Sequence, residues 1–308
     1  MSKYSLIIHG GCGGVDKFSE DEQQAYLESQ RRILAEGEAL LKSGKSALET
    51  VEYCVKLLED DTLYNAGKGS VLNEDGEVEM DASIMDGKDL MAGAVAGIKN
   101  IKNPVELAKK VMEETPHVFL IGDGAEKFAK IHNIKTENPE YFIIEKRKQQ
   151  LELAKKVGGV MLDYTDVKLD NKLGTVGAVA RDKNGNLAAA TSTGGMTNKK
   201  FGRVGDSPLI GAGNYADNES CGISCTGKGE HFIKTGFAKF VSDLIYLKNL
   251  SGPEAGVEAI NYFKKKMNGE GGFIMIDKDG NCSSLFTTAG LIRAWVSEGE
   301  EIQAKLFN

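Results

Sequence analysis

The chain has 308 residues, with 38 basic and 45 acidic side chains and a formal net charge of −7. This length fits one large domain or two ordinary ones. The acidic balance argues against a nucleic-acid or anionic-membrane partner, because both require a basic face. Five scattered cysteines do not suggest a disulfide framework. No secretory signal or membrane-length apolar run is present, so we expect a cytoplasmic protein.

Short strands and amphipathic helices are predicted in the first half of the chain. The apolar run Tyr4–Ile8, followed by HGGCGG, predicts a buried strand that ends in a glycine loop. Serine–glutamate capping boxes at 19–22 and 46–49 predict the starts of two helices. The remaining elements predicted in this half are strands at 77–85, 91–98 and 117–121, a helix after Asn103 and a short helix at 125–132.

The stretch 135–172 is highly polar, and its second half shows no sustained period. A segment of this length without structure is either functional or disordered. Beyond it, apolar strands flank DKNG and DKDG, which are hairpin signals, and helices are predicted at 231–249 and 253–267. This mixture of hairpins and helices favours an α+β layered sandwich over a doubly wound parallel sheet.

Several short motifs have simpler explanations than a ligand site. GKS at 44–46 matches part of a P-loop, but the position five residues before its glycine is Ala39, and a helix end followed by an N-cap explains it. Cys221, Cys225 and His231 give only half of a zinc site. DKDG lacks the trailing glutamate of a calcium loop. His9 is either catalytic or a structural histidine at a strand end.

Thr175, in the segment LGTVGAVA, is a candidate nucleophile. A hydroxyl residue that follows an unhindered glycine can attack its own preceding carbonyl, and hydrolysis of the resulting ester frees an N-terminal threonine. That residue supplies a nucleophile, its hydroxyl, and a base, an α-amine with a pKa near ~8. The alternative is an ordinary strand threonine, since β-branched residues favour strands.

Three further segments carry groups that fit such a nucleophile. TSTGGMTNK at 191–199 places hydroxyls directly after the paired strand. Arg203 and Asp206 form either a surface ion pair or a clamp for the carboxylate and ammonium of an amino acid. CTGKGE at 225–230 places a threonine and two glycines at the end of a strand, where backbone N–H groups can stabilise an oxyanion.

These segments, together with HGG at 9–11, NAGKGSVLNEDGEVEMDASIMDG at 65–87 and FTTAGLIRAW near the C-terminus, resemble the plant-type L-asparaginases or isoaspartyl peptidases. These enzymes are N-terminal-nucleophile hydrolases, and the resemblance spans nearly the whole chain. It implies an α+β fold, a four-layer αββα sandwich. It also implies a precursor that cleaves itself between Gly174 and Thr175. The products 1–174 and 175–308 would together form one domain and assemble as a homodimer.

The resemblance also implies a role for each matching residue. Thr175 would be the nucleophile, Thr193 would orient it, and Asn65 would lie near the cleavage site. Thr226 and Gly227 would form the oxyanion hole. The reaction implied is hydrolysis of the side-chain amide of L-asparagine and of β-aspartyl dipeptides through an ester on Thr175.

Substrate binding and a possible ion site follow from the same resemblance. Arg203 would bind the substrate α-carboxylate, Asp206 the α-amine, and Gly227 and Gly229 would line the same site. No cofactor is implied for catalysis. A loop resembles one that wraps a structural sodium ion with the backbone carbonyls of Leu58, Glu59, Asp61, Tyr64, Ala66 and Lys68.

Two positions differ from the family pattern, and two other functions remain open. Lys228 stands where relatives often carry histidine, and HGGCGG, with Cys12, Gly13 and Gly14, replaces a loop that more often contains alanine. The chain could be an uncleaved precursor that acts by binding alone, although its Gly–Thr dipeptide and three threonines argue against this. It could also bind a nucleotide or phosphate through HGGCGG, but no companion acidic or lysine motif is present.

Overall fold

The computed structural model describes residues 2–156 and 174–308. In these ranges the helices are α1 (Glu20–Lys42), α2 (Ala47–Asp60), α3 (Pro104–Glu114), α4 (Gly122–Ile131), α5 (Pro139–Phe142), α6 (Glu145–Lys156), α7 (Gly229–Thr235), α8 (Phe237–Lys248) and α9 (Gly252–Met267). The strands are β1 (Ser5–Gly13), β2 (Met80–Asp86), β3 (Met91–Ile98), β4 (Phe119–Ile121), β5 (Val176–Arg181), β6 (Leu187–Thr193), β7 (Asn214–Ala216), β8 (Cys221–Gly227), β9 (Gly271–Asp277), β10 (Cys282–Phe286), β11 (Gly290–Ser297) and β12 (Gln303–Lys305). Among these helices, none has both the length and the apolar character of a membrane span.

The strands form two sheets. The larger sheet has the order β12-β11-β1-β5-β6-β2-β3-β4, and the smaller has the order β10-β9-β8-β7. Their strand pairs are antiparallel, apart from the parallel pair β3 and β4. The prediction of a mixed α+β fold, rather than a doubly wound parallel sheet, is confirmed.

The central strands of the larger sheet are buried on both faces. In β1, Leu6 and Ile8 belong to the apolar cluster that includes α1 and α2, whereas Ile7 belongs to the cluster that includes the smaller sheet and α7–α9. Residues alternate in the same way in β5, where Ala178 faces the first cluster and Val179 the second. Successive side chains of a strand point to opposite faces. Because both faces are buried here, these strands are continuous apolar runs in the sequence.

Many of the predicted local signals are confirmed. Both capping boxes form, with Ser19 and Ser46 as N-caps of α1 and α2. Strand β3 has the predicted bounds. The DKNG and DKDG turns join the antiparallel pairs β5–β6 and β9–β10. In each case the signal lies within a few neighbouring residues, so it does not depend on distant parts of the chain.

Three local predictions were wrong. Strand β1 does not end before HGGCGG but continues to Gly13, because it pairs with β11 across a bulge between His9 and Cys12. The predicted helix 231–249 is two helices, because Gly236 adopts a left-handed conformation with φ 55° between α7 and α8. The first part of the stretch 135–172 contains α5 and α6, while 157–173 lies outside the described residues.

Helix α6 escaped prediction because its buried face is not apolar throughout. Arg147 lies on that face beside Leu151 and Ala154. The Nε of Arg147 donates a hydrogen bond of 2.6 Å to the carbonyl oxygen of Gly69. A buried, hydrogen-bonded arginine breaks the apolar periodicity by which an amphipathic helix is identified.

Candidate active site

The hairpin of β5 and β6 brings Thr175 and Thr193 to one end of the larger sheet. Val176 pairs with Ser192 in this antiparallel hairpin. Thr175 precedes Val176 and Thr193 follows Ser192, so the two threonines lie beyond this pair at the same end of the hairpin. Both threonines are buried, and they line one pocket together with Gly174, Gly195, Met196, Arg203, Gly205, Asp206, Ser207 and Gly227. The pocket encloses about 20 Å³, space for roughly one water molecule. A ligand the size of an amino acid therefore requires this pocket to open.

Ser207 contacts the candidate nucleophile, although the sequence analysis did not select it. The Oγ atoms of Thr175 and Ser207 lie 3.2 Å apart and form a buried hydrogen bond. The hydroxyl of Thr193 instead accepts a bond of 3.0 Å from the N–H of Gly195. The available signal for Ser207 was its position directly after Asp206, in the segment GRVGDSP.

Asn65 holds the turn that follows Thr193. Its Nδ2 donates to the carbonyl oxygen of Gly195 at 2.8 Å, and its Oδ1 accepts from the N–H of Val71 at 2.9 Å. Its own carbonyl oxygen accepts from the N–H of Gly194 at 3.0 Å. The side chain therefore fixes the backbone behind the pocket.

Thr226 and Gly227 lie at the end of β8. Within the described ranges, the buried hydroxyl of Thr226 has no hydrogen-bond partner. Buried polar groups are usually bonded, so this hydroxyl has a donor to spare; of the two residues, Gly227 is the one that lines the pocket. A Cβ on Gly227, whose φ is 143°, would lie 2.4 Å from the Cα of Gly271. The close approach of the two backbones leaves room only for glycine.

Arg203 and Asp206 line the pocket, and both side chains lie close to Gly229. A Cβ on Gly229 would lie 2.8 Å from Oδ1 of Asp206 and 2.9 Å from Nη2 of Arg203. The Nε of Arg203 donates to Oε1 of Glu230 at 2.9 Å. Glu230 was also missed by the sequence analysis, although it ends the segment TGKGE. Since this bond uses Nε, the Nη groups of the guanidinium can bind a carboxylate.

Asp206 is 3% exposed, and its Oδ2 has no partner in the described part of the chain. Burial raises the pKa of this carboxyl to about 7, although a bond from its own backbone N–H and the nearby charge of Arg203 oppose the shift. When ionised, the carboxylate is therefore a buried acceptor whose Oδ2 still lacks a donor, although the charge of Arg203 is near. An ammonium group in the pocket would supply that donor.

Asp206→Asn should stabilise the fold at pH 8 and leave its stability unchanged at pH 3. A carboxyl whose folded pKa is raised contributes stability below its unfolded pKa of ~3.9 and loses it as pH rises through about 7. We expect the Tm at pH 8 to rise by roughly 4–8 °C, or about 2 kcal/mol. Thermal unfolding measures this, with the exposed Asp75→Asn as control. An equal Tm for Asp206→Asn and the wild type at pH 8 contradicts the prediction.

His9 is a structural histidine in the uncleaved chain. The N–H of Gly11 donates to its Nδ1 at 3.3 Å, so the ring proton lies on Nε2, which donates to Oγ of Ser224 at 3.0 Å. Burial lowers the pKa of His9 to about 3, opposed by a hydrogen bond with the backbone of Thr175. A neutral ring thus joins β1 to β8 beneath the candidate nucleophile.

No group of His, Cys, Asp and Glu that could hold a metal ion occurs among residues 2–156 and 174–308. Cys221 and Cys225 are buried residues of β8, as their interpretation as strand cysteines predicted. All five cysteines are free, as the sequence predicted. A metal site of that kind would use side chains of His, Cys, Asp and Glu. Its absence among the described residues therefore does not bear on the sodium loop implied by the family resemblance, whose ligands would be backbone carbonyls.

The two departures from the family pattern both lie next to the pocket. Lys228 follows Gly227 and is the N-cap of α7, and its backbone N–H donates to the carbonyl oxygen of Glu270 at 3.0 Å. The Sγ of Cys12 donates to the carbonyl oxygen of Thr226 at 3.1 Å. Cys12 thereby ties the glycine segment of β1 to the end of β8.

Comparison with known proteins identifies the family of this chain. The family model described as asparaginase matches residues 2–305. The isoaspartyl peptidase of Escherichia coli (strain K12) is 46% identical over 304 residues, covering 97% of this chain and 95% of the relative. The isoaspartyl peptidase/L-asparaginase of Rattus norvegicus is 46% identical, covering 96% and 86%, and that of Homo sapiens is 43% identical, covering 96% and 94%. This chain therefore belongs to the asparaginase family and is a hydrolase.

Proposed function

We propose that this chain is a self-processing threonine hydrolase that cleaves the side-chain amide of L-asparagine and of β-aspartyl dipeptides. One observation carries the proposal: a single pocket gathers Thr175, Thr193, Arg203, Asp206 and Gly227 from separate segments of the chain. The relatives named isoaspartyl peptidase/L-asparaginase support the substrate class. The pocket would be completed by self-cleavage between residues 174 and 175.

Self-cleavage begins with attack of the Thr175 Oγ on the carbonyl carbon of Gly174. The C–N bond breaks, the hydroxyl proton passes to the Thr175 nitrogen, and an ester links the two residues. Water then hydrolyses the ester, which leaves chains 1–174 and 175–308. The freed α-amine of Thr175 has an ordinary pKa near ~8 and can serve as the base in the next reaction. Opening of the Gly174 side of the pocket also makes room for substrate.

In the hydrolytic reaction, the substrate is bound by both of its charged backbone groups. Arg203 binds the α-carboxylate through its Nη groups, while Asp206 binds the α-amine above Gly229. This places the side-chain amide next to Thr175, so that the reaction becomes effectively intramolecular. Because asparagine and β-aspartyl dipeptides share the same aspartyl part, one clamp serves both.

The chemical steps then fall to the threonines. Thr193 orients the Oγ of Thr175. The α-amine of Thr175 removes the proton from this Oγ, which then attacks the amide carbon of the substrate. Thr226 and Gly227 stabilise the tetrahedral oxyanion. Their hydrogen bonds to this oxygen are stronger in the transition state than in the ground state, so they accelerate the reaction. Ammonia or an amino acid leaves with the proton, and water hydrolyses the β-aspartyl ester.

We also propose that the layers form an αββα sandwich and that cleaved protomers pair as a homodimer. Helices α1–α3 contact the larger sheet, β5 and β6 contact β8 of the smaller sheet, and α8 and α9 contact the smaller sheet. This contact pattern supports the order of layers. The dimer is carried over from the family resemblance alone.

The carbonyls of Leu58, Glu59, Asp61, Tyr64, Ala66 and Lys68 remain the proposed sodium ligands. A Cβ on Gly67 would lie 2.4 Å from the Glu59 carbonyl oxygen, and one on Gly69 would lie 2.9 Å from that of Tyr64. These glycines let the backbone bend closely around the oxygens, which fits a cation held by carbonyls. Such an ion would stabilise the loop and take part in no chemical step.

The proposed function is tested by intact mass spectrometry of freshly purified protein, repeated after days of incubation. We expect fragments of 174 and 134 residues, because the chain has 308 residues and is cleaved after Gly174. Ammonia release from asparagine and amine release from β-aspartyl dipeptides should grow with the cleaved fraction. A chain that stays intact, binds aspartate and hydrolyses neither substrate would instead support the alternative of a binding protein.

A further inference from the structure

A buried lysine lies outside the group of residues that the proposed mechanism uses. Lys199 is 1% exposed, although lysine is almost never fully buried unless it is paired. Its Nζ donates to the carbonyl oxygen of Glu79 at 2.8 Å and lies 3.8 Å from Oε2 of the same residue. A buried ammonium held in this way is fixed in position. Moving it away from these oxygens would leave a buried charge without a partner, which is strongly unfavourable.

Acidic and basic groups face this ammonium from both neighbouring segments. Glu79 and Asp81 approach from the start of β2, and Arg203 lies on the same loop as the lysine. Oδ1 of Asp81 accepts from the N–H of Gly97 at 2.9 Å, and its Oδ2 has no partner in the described ranges. Burial lowers the pKa of Lys199, while Asp81 and Glu79 oppose that shift. Burial outweighs these charges in both directions, since the pKa of Lys199 is lowered and that of Asp81 is raised.

The lysine packs against the turn that follows Thr193. A Cβ on Gly195 would lie 3.1 Å from both Cδ and Nζ of Lys199, so the side chain runs directly under the Gly195 backbone. The N–H of Gly195 binds the hydroxyl of Thr193, and its carbonyl oxygen binds Asn65. The contact of Lys199 with Gly195 therefore connects the lysine to both Thr193 and Asn65.

Strand pairing places the acidic side of the cluster next to the same turn. Asp81 is the residue that pairs with Thr193 between β2 and β6. Glu79 comes two residues before Asp81, immediately before that strand begins. The ammonium of Lys199 thus joins the β2 side of the sheet to the turn that ends β6.

We propose that Lys199 is a positioning residue that fixes the turn 193–195, and through it the Thr193 hydroxyl, for attack by Thr175. This inference rests on the proposed function and adds a residue to which neither the family resemblance nor the mechanism gave a role. Lys199 does not touch the substrate. It acts through Gly195, and a displacement of about 1 Å at a reacting group is enough to cost on the order of 100-fold in rate.

The test compares Lys199→Met with Lys200→Met, which removes the same charge from an exposed neighbour. We expect kcat per cleaved active site to fall about 30-fold in Lys199→Met, with KM changed less than about 3-fold, because the clamp of Arg203 and Asp206 is intact. The rate of self-cleavage should fall as well. Lys200→Met should match the wild type in all three quantities.

A merely structural role is distinguished by this separation of kcat from KM. Loss of folded protein alone lowers yield and Tm but leaves kcat per titrated active site unchanged, and that result overturns the proposal. If Lys199→Met does not fold, Glu79→Gln provides the test, since it keeps the lysine and its bond to the Glu79 carbonyl oxygen but removes the carboxylate charge 3.8 Å from Nζ. We expect kcat about 5-fold lower with an unchanged KM, and an unchanged kcat in this variant overturns the proposal.

The wild type separates failure of this inference from failure of the proposed function. A wild-type chain that neither cleaves itself nor hydrolyses an aspartyl amide contradicts both. A wild-type chain that does so, accompanied by an equally active Lys199→Met variant, contradicts only the positioning role of the lysine.

Discussion

Replacing Thr175 with alanine should abolish self-cleavage and lower amide hydrolysis by at least about 10⁴-fold. In the proposed mechanism the hydroxyl is the attacking group in both reactions, and no other described residue of the pocket combines a hydroxyl with a future α-amine. The fold should be retained, because the change removes a hydroxyl and a methyl group from the edge of a small pocket. Intact mass and ammonia release measure the two losses.

Thr175→Ser is the matched control for this experiment. It keeps the Oγ and the contact with Ser207, which lies 3.2 Å from the wild-type hydroxyl, and it loses only the methyl group. We expect cleavage at the same bond, slower by about 10-fold because the freer χ1 orients the Oγ less well. Cleavage of Thr175→Ala after residue 174 would show that another group attacks the peptide bond.

Arg203→Ala should raise KM for asparagine about 100-fold and leave self-cleavage in place. In the proposed mechanism the guanidinium binds the α-carboxylate of the substrate, a group that self-cleavage does not use, so the two reactions should respond differently. A charge-assisted, bidentate bond of this kind contributes about 3 kcal/mol, which corresponds to roughly that factor. Steady-state kinetics and intact mass on the same preparation give both values.

Two further variants serve as controls for Arg203→Ala. Arg31→Ala removes an exposed arginine from α1 and should change neither quantity. Arg203→Lys keeps the charge and loses the fork that binds both carboxylate oxygens, so we expect an intermediate KM. An unchanged KM in Arg203→Ala removes this residue from the clamp.

Local features of the fold could be predicted wherever neighbouring residues determine them. A capping box joins positions three apart, so Ser19 and Ser46 identified the starts of α1 and α2 without reference to the rest of the chain. The turn at DKNG brought Thr175 beside Thr193, because the register of a hairpin follows from its turn. The end of β1 was predicted too early and α6 was not predicted at all, because each depends on a distant partner: β11 for β1, and Gly69 for Arg147 of α6.

The sequence by itself determined the asparaginase-like motifs, the α+β composition and the candidate residues of the pocket, since each lies in a short continuous segment. Tertiary structure alone decided which side chains meet across segments. Ser207 reaches Thr175, Glu230 holds Arg203, and Lys199 reaches the Glu79 carbonyl only because separate strands and loops converge. Hydrogen bonds and buried charges act over about 3–4 Å, and a one-dimensional pattern does not contain the distances on which they depend.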